Sequence, residues 1–184
     1  MKIVIDTETT GLHPENGDEL LQVAIADVKG NVLFNSRIRP ATAKSWPEAM
    51  AVNHITPEMV ACSPSVVDLL IDGELERIIS SADTIIGYNT GFDLNFLELA
   101  AGIKPAPTAK IVDTMEITKR LFGVEKWFKL TQAAYIFGFN YKSPALVAAG
   151  LQAHDALCDV YATLHIYNRL VYLKECVPYQ FGIE

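Results

Sequence analysis

The sequence predicts an α/β domain, a mixed β-sheet of about five strands flanked by α-helices. Two observations carry that prediction. Three apolar, β-branched stretches fall within the first 39 residues, and from Pro57 onward strand-like runs alternate with helical patterns. An antiparallel run followed by strand–helix alternation makes a sheet with both kinds of neighbour, covered by helices.

Lys2–Asp6 reads as a central strand, because it is short, mostly apolar and ends in turn residues. Leu20–Val28 and Asn31–Arg39 are two further strands joined at Lys29-Gly30-Asn31, a good hairpin turn. Pro40–Thr56, with Pro40 and Pro47, reads as an irregular segment of a length that is often functional. Leu75–Ser80 follows Asp72-Gly73 as a short helix, and Thr84–Gly87 is the fourth strand. Asp93–Ala101 is helical, with Asp93, Phe96, Leu97 and Ala100 on one face. Lys110–Val112 forms a short strand running into Asp113-Thr114, and helices follow over Thr114–Phe122 and Leu130–Phe137. Lys142–Gly150 reads as a loop beside a site. Ala156–Glu175 is a long helix, apolar around most of its circumference and therefore largely buried. With no repeat, low-complexity stretch or internal boundary, residues 1–184 read as one domain.

Half of the residues are hydrophobic and 20% are charged, a globular balance. No apolar run approaches the roughly 20 residues of a membrane span, and the first residues lack the pattern of a signal peptide. The expectation is a soluble, cytoplasmic protein. Cys62, Cys158 and Cys176 match neither a zinc pattern nor a disulfide framework, so they read as buried or half-buried free thiols. The net charge of −7 argues against a general nucleic-acid coat protein. It leaves room for an enzyme that gathers acids around metals and holds one strand end.

Asp6 and Glu8 are the first chemical signal. Residues two apart in a strand share a face, which sets these acids roughly 6–7 Å apart. Like charges at the end of a buried strand repel and are costly to desolvate. A divalent cation resolves that cost; alternatively, Asp6 opens the Thr9-Thr10-Gly11 turn and Glu8 stays solvated. Asp93 lies where a strand passes into a helix after Tyr88-Asn89-Thr90-Gly91-Phe92, the kind of junction where α/β sheets place ligands. Read alone, Asp93 is equally a first-turn acid favoured by the helix dipole, and Asn89 a cap. Asp159 shares its helix face with Thr163, Ile166 and Leu170 while the opposite stripe is also apolar, so its charge points inward. His154 would stand some 140° from Asp159 on a continuous helix. A shared site therefore requires His154 on the preceding loop, with Asp155 as N-cap. His13 reads as solvated and His165 as structural.

These residues together resemble the DEDD exonucleases, specifically the subgroup with a catalytic histidine related to the proofreading ε subunit of bacterial replicative polymerase. The carrying motifs are Asp6-Thr7-Glu8-Thr9-Thr10-Gly11, Asn89-Thr90-Gly91-Phe92-Asp93, and His154 with Asp159 five residues on. They span Ile3 to about Tyr161 in the family's order. The resemblance implies a ribonuclease-H-like fold and two divalent cations, Mg²⁺ or Mn²⁺, held by Asp6, Glu8, Asp93 and Asp159. It implies His154 as general base and the release of nucleoside 5′-monophosphates from a nucleic-acid 3′ end, DNA favoured over RNA.

Substrate contacts implied by the resemblance are Glu48, Asn53, His54 and Ile55, with Phe92 and Leu12 flanking the terminal base and Thr9, Thr10 and Asn89 nearby. By apolar character alone, Phe92 and Leu12 read equally as core residues. The segment Pro47-Glu48-Ala49-Met50-Ala51-Val52-Asn53-His54-Ile55 departs from the family pattern, which places the family's histidine on Asn53 and its glycine on His54. The rival readings are an exoribonuclease or oligoribonuclease of the same superfamily and a non-catalytic nucleic-acid- or polymerase-binding subunit. Asp-Thr-Glu-Thr-Thr differs from the Asp-Met-Glu-Met-Thr usual in oligoribonucleases. All four acids and the histidine are present, which disfavours the non-catalytic rival. Association with a DNA polymerase would use another surface, since no appended polymerase-binding tail is identifiable.

Overall fold

Side-chain alternation along the first strand sets the two layers of the molecule. A computed structural model describes residues 1–126 and 128–176; residues 177–184 of the expected domain lie outside the described residues. Strand β1 (Lys2–Thr9) pairs antiparallel with β2 (Leu20–Asp27), which pairs antiparallel with β3 (Val32–Arg37). On its other side β1 runs parallel to β4 (Thr84–Gly87), and β4 parallel to β5 (Lys110–Asp113). The order is β3-β2-β1-β4-β5, so β1 is central. The chain leaves β1 for β2 on one side and returns to β4 on the other. The crevice beyond the carboxyl ends of β1 and β4 is thus the switch point where open α/β sheets bind ligands.

The helices are α1 (Pro47–Asn53), α2 (Pro57–Val60), α3 (Val66–Asp72), α4 (Glu74–Ser80), α5 (Thr90–Ala101), α6 (Thr114–Phe122), α7 (Leu130–Ile136), α8 (Pro144–Ala148) and α9 (Ala156–Cys176). Ile3 and Ile5 point to one face of the sheet, where they pack with Ile25, Ile85 and the Leu69, Leu75, Ile79, Phe96 and Leu97 side chains of α3, α4 and α5. Val4 points to the other face, where Ala24, Ile86 and Val112 meet Ala156, Val160 and Leu164 of α9. Burying each large side chain contributes roughly 1.5–3 kcal/mol. Helix α9 is covered again on a second side, where Ala162, Ile166 and Leu170 pack with Ala133 and Ala134 of α7. That double cover explains its nearly all-round apolar sequence.

Several expectations are corrected. Pro40–Thr56 is not wholly irregular, because Pro47 starts α1 rather than breaking a helix. Pro144 likewise starts α8 inside the expected Lys142–Gly150 loop, with Ser143 as its cap. Proline lacks only an N–H that the first helical position does not use, so it suits that place. β1 runs on to Thr9, carried by pairing of Glu8 with Gln22. Helix α5 begins at Thr90, which puts Asp93 in its first turn. All three cysteines are free, but Cys62 and Cys176 are exposed and only Cys158 is buried. Among the described residues, no helix is long and apolar enough to cross a membrane.

Candidate active site

The same alternation that splits the core aims the acids. Asp6 and Glu8 follow Val4 toward the α9 side, while Thr7 follows Ile3 and Ile5 toward α5. The Thr7 hydroxyl donates to Asp93 Oδ1 at 2.7 Å, and Asp93 is only 3% exposed. Asn89 turns the chain into α5 with φ +67°. Its N–H donates to Asp113 Oδ1, which also accepts from Met115 N and so ties the starts of α5 and α6 together. Gly87 permits this close junction, since a Cβ there would stand 2.7 Å from Thr90 Oγ1.

Asp159 lies in the first turn of α9. Asp155 Oδ1 accepts from Leu157 N and Cys158 N, which is the expected capping role. Ala156 N–H donates to Gln22 Oε1, and Gln22 Nε2 donates to Asn35, so β2 and β3 anchor the helix start. His154 stands off the helix with φ +64°. Its N–H donates to Asp159 Oδ2 at 3.2 Å. The left-handed backbone removes the 140° separation that a continuous helix would impose. Ligand atoms of Glu8, His154 and Asp159 consequently lie within 4.8 Å of one another. Asp6 and Asp93 are not within that tight group but are near enough for their charges to act on it.

Burial, then the charges of Asp93, Asp159 and Glu8, hold the Asp6 carboxyl well above its ordinary range. Burial and the charges of Asp159 and Asp93 push Glu8 up to about 9. Asp93 and Asp159 are each pushed up to about 7 by burial; Thr7 opposes this at Asp93, and Tyr141 and the His154 amide oppose it at Asp159. His154 is held below the usual histidine range by burial and by the nearby His54 and Lys129. Among the described residues, no lysine or arginine forms an ion pair with any of the four acids. Asp159 Oδ1 is buried with no hydrogen-bond partner at all. Crowded carboxyl oxygens without a protein countercharge fit hard divalent cations such as Mg²⁺ or Mn²⁺.

A cavity of about 560 Å³ opens beside Glu8, lined by Thr9, Thr10, Leu12, Glu48, Asn53 and Phe92 among others. Its volume lies in the range of small-molecule sites. Leu12 is 72% exposed and is no core residue, whereas Phe92 both lines the cavity and packs on Phe96 with ring centroids 4.9 Å apart. Asn53 is buried; its Nδ2 donates to Thr9 O at 3.1 Å and its Oδ1 accepts from Ile55 N. Gly11 admits the Asp18 carboxylate, which a Cβ would meet at 2.2 Å, and Asp18 in turn accepts from His13 N.

Three expected contacts are not on the cavity. Ile55 is 3% exposed within the Leu21, Trp46 and Val60 cluster, where its carbonyl accepts from Trp46 Nε1 at 2.7 Å. Asn89 serves the backbone turn into α5. His54 is exposed at the end of α1, with φ +60°, and does not line the cavity, though it is near enough for its charge to act on His154. His13 is exposed beside Glu15, and His165 Nε2 pairs with the Phe137 carbonyl, as a structural residue would. Sequence reasoning missed Thr7, Gln22 and Tyr141. Strand alternation signals Thr7 once Asp93 is suspected, and Gln22 follows from its pairing with Glu8. Nothing local signals Tyr141.

The sheet order, with acids on β1, α5 and α9 and a histidine ahead of α9, defines a ribonuclease-H-like exonuclease fold. Residues 3–167 match the exonuclease family model RNase_T, and the chain belongs to this exonuclease family. The DNA polymerase III subunit epsilon-like protein of Rhodobacter capsulatus is 30% identical over 179 residues, covering 92% of this chain and 23% of that protein. The DNA polymerase III subunit epsilon of Treponema pallidum is 28% identical over 173 residues, covering 90% of this chain and 74% of that protein. Among solved structures, exonuclease X in complex with 5′ overhanging duplex DNA superposes with a TM-score of 0.70 at 25% identity, covering 99% of this chain and 98% of the other. E. coli exonuclease I in complex with a dT13 oligonucleotide shares the fold, with a TM-score of 0.71 at 18% identity over 96% of this chain and 42% of the other.

Proposed function

We propose that this protein is a metal-dependent 3′→5′ exonuclease that removes nucleoside 5′-monophosphates from single-stranded or frayed DNA ends. The observation that carries the reading is the convergence of Glu8, His154 and Asp159 within 4.8 Å beside a cavity of nucleotide-accommodating size. Asp6, Glu8, Asp93 and Asp159 would hold two divalent cations, Mg²⁺ or Mn²⁺. Bound cations would supply Lewis acidity and countercharge to the attacking and leaving oxygens of the phosphodiester.

The chain's own groups do the rest. His154, held below the usual histidine range, is neutral at physiological pH and takes the proton of the attacking water at a ring nitrogen. Glu48 and Asn53 orient the terminal sugar, Leu12 and Phe92 flank the terminal base, and Thr9 and Thr10 shape the adjoining wall. Apolar walls on a base are sequence-tolerant, as an exonuclease requires. DNA is favoured because exonuclease X is bound to duplex DNA in its structure. Residues 1–184 act as one exonuclease domain in this reading. Similarity to polymerase ε subunits supports a role in proofreading or repair, with polymerase association, and the free thiols suit the cytoplasm.

The test is 5′-labelled single-stranded DNA beside the matched RNA, each with Mg²⁺ or Mn²⁺. Stepwise shortening of DNA from its 3′ end, stopped by EDTA, is the expected result. Faster shortening of the RNA would transfer the reading to an exoribonuclease. No shortening of either would overturn it.

A further inference from the structure

Behind the acids lies a polar cluster that the reaction outlined above leaves unused. Among the described residues, the buried side-chain oxygens or nitrogens without a hydrogen-bond partner are Tyr141 Oη, Asp159 Oδ1 and Thr163 Oγ1. Native interiors rarely leave such groups unpaired, so each one calls for a partner. Thr163 stands one helical turn beyond Asp159, so the orphans share one side of α9. Tyr141 and Asp159 are close enough to act on each other, since the Asp159 carboxylate adds to burial in holding the Tyr141 hydroxyl above its ordinary range, and neither Tyr141 Oη nor Asp159 Oδ1 has a hydrogen-bond partner.

The ring that carries this hydroxyl is braced. Tyr141 packs edge-on against Phe139 with centroids 5.0 Å apart, and Phe139 packs against His165 of α9 at 5.6 Å. His165 Nε2 also holds the Phe137 carbonyl at 2.9 Å. The chain from Phe137 to Tyr141 is therefore clamped to α9 two turns beyond Asp159. Tyr141 itself packs with the cluster containing Ala162 and Ile166. A braced ring thus holds a buried, unpaired donor on the side of α9 where Asp159 Oδ1 is a buried, unpaired acceptor.

We propose that Tyr141 is a positioning residue: its phenol donates to Asp159 Oδ1 when that carboxylate is engaged with a cation. Oδ2 already accepts the His154 amide, so the second bond would fix the carboxylate plane and keep its remaining lone pairs facing Glu8 and His154. Hydrogen-bond partners of ligating carboxylates commonly change metal affinity by 10–100-fold. The proposal rests on the reading of Asp159 as a cation ligand.

Tyr141→Phe tests it, because the change deletes one oxygen and leaves the ring on Phe139. Tyr135→Phe, on the 82% exposed Tyr135, is the control. Calorimetric titration with Mn²⁺, without nucleic acid, is expected to show affinity reduced about 10-fold in Tyr141→Phe and unchanged in Tyr135→Phe. The metal-free melting temperature should stay near wild type. In an Asp159→Asn background, Tyr141→Phe should change Mn²⁺ affinity no further, since its effect passes through that carboxylate. Unchanged Mn²⁺ affinity in Tyr141→Phe overturns the proposal while leaving the exonuclease reading intact. So does an equal loss in both backgrounds. Wild-type protein that binds Mn²⁺ no better than Asp159→Asn overturns both. If Tyr141→Phe melts early, Tyr141→Trp, which keeps a large ring but misplaces the donor, must also lose Mn²⁺ affinity, or the proposal fails.

Discussion

Asp93 and Asp159 occupy equivalent places, each in the first turn of a helix that begins after a residue of positive φ, yet they are held differently. Asp93 receives the Thr7 hydroxyl at 2.7 Å from the central strand. Asp159 receives only the His154 amide, at 3.2 Å, from its own entry loop, and its other oxygen is unpaired. Burial pushes both up to about 7. One acid is thus fixed by the sheet and the other by the segment that precedes α9.

The largest effects should not distinguish the anchors. Asp93→Asn, Asp159→Asn and Asp6→Ala are each expected to lower turnover at least about 10³-fold, the several kcal/mol that a lost cation ligand takes from phosphoryl transfer. Near-wild-type turnover in any of them, measured on labelled DNA, would remove that acid from the ligand set. His154→Ala should cost about 10²-fold or more while Mn²⁺ binding persists, as expected of a proton acceptor. A collapse of Mn²⁺ affinity instead would make His154 a ligand, an arrangement that its distance from Glu8 and Asp159 permits.

Thr7→Val separates the anchors. It strands a buried carboxylate oxygen on the sheet side, which should cost about 1–3 kcal/mol of stability and raise Asp93 further above 7. Denaturant melts would check the first effect. The pH at which Mn²⁺ begins to bind would check the second, and an unshifted onset would show that Asp93 does not depend on the strand.

The sheet and the acid positions were legible because both rest on short-range rules. Apolar β-branched runs predicted all five strands, and period-two alternation put Asp6 and Glu8 on one face. What escaped depended on distant partners. Pro47 lies in the segment read as irregular and Pro144 in the one read as a loop, though each occupies the first position of a helix. Ile55 matched a motif position, but Trp46 draws it into the core. Tyr141 is placed by Phe139 and His165, which hold the chain between α7 and α8 against α9, a relation with no sequence period.

Protons should compete with cations at both anchors. Unfolded carboxyls titrate near 4, whereas Asp93 and Asp159 titrate near 7 and Glu8 near 9 in the folded chain. Their folded values are raised, so the stability they contribute is present below about pH 4 and lost as pH climbs through 7 to 9. EDTA-treated protein should therefore melt at lower temperature at pH 9 than at pH 6. Mn²⁺ should raise the melting temperature more at pH 9, since fewer protons must leave. A gap between the two forms that is constant across this range would contradict the raised values.

The smallest effect concerns the third non-glycine residue of positive φ. His54 closes α1 at φ +60° and ψ +12°, where a side chain costs about 1 kcal/mol that glycine avoids. The resemblance implies glycine there, whereas this chain carries a ring whose charge acts on His154. His54→Gly should relieve the local strain, offset in part by the greater freedom of glycine in the unfolded chain, for a net change within about 1 kcal/mol. It should also let His154 rise toward the usual histidine range, because the neighbouring His54 charge helps hold it down. The acid limb of the pH–rate profile would then move to higher pH in His54→Gly. An unmoved limb would show that the ring does not act on His154. The left-handed turn at His54 would then serve only to end α1, in contrast to the turn at His154, where the same backbone brings the imidazole within reach of Glu8 and Asp159.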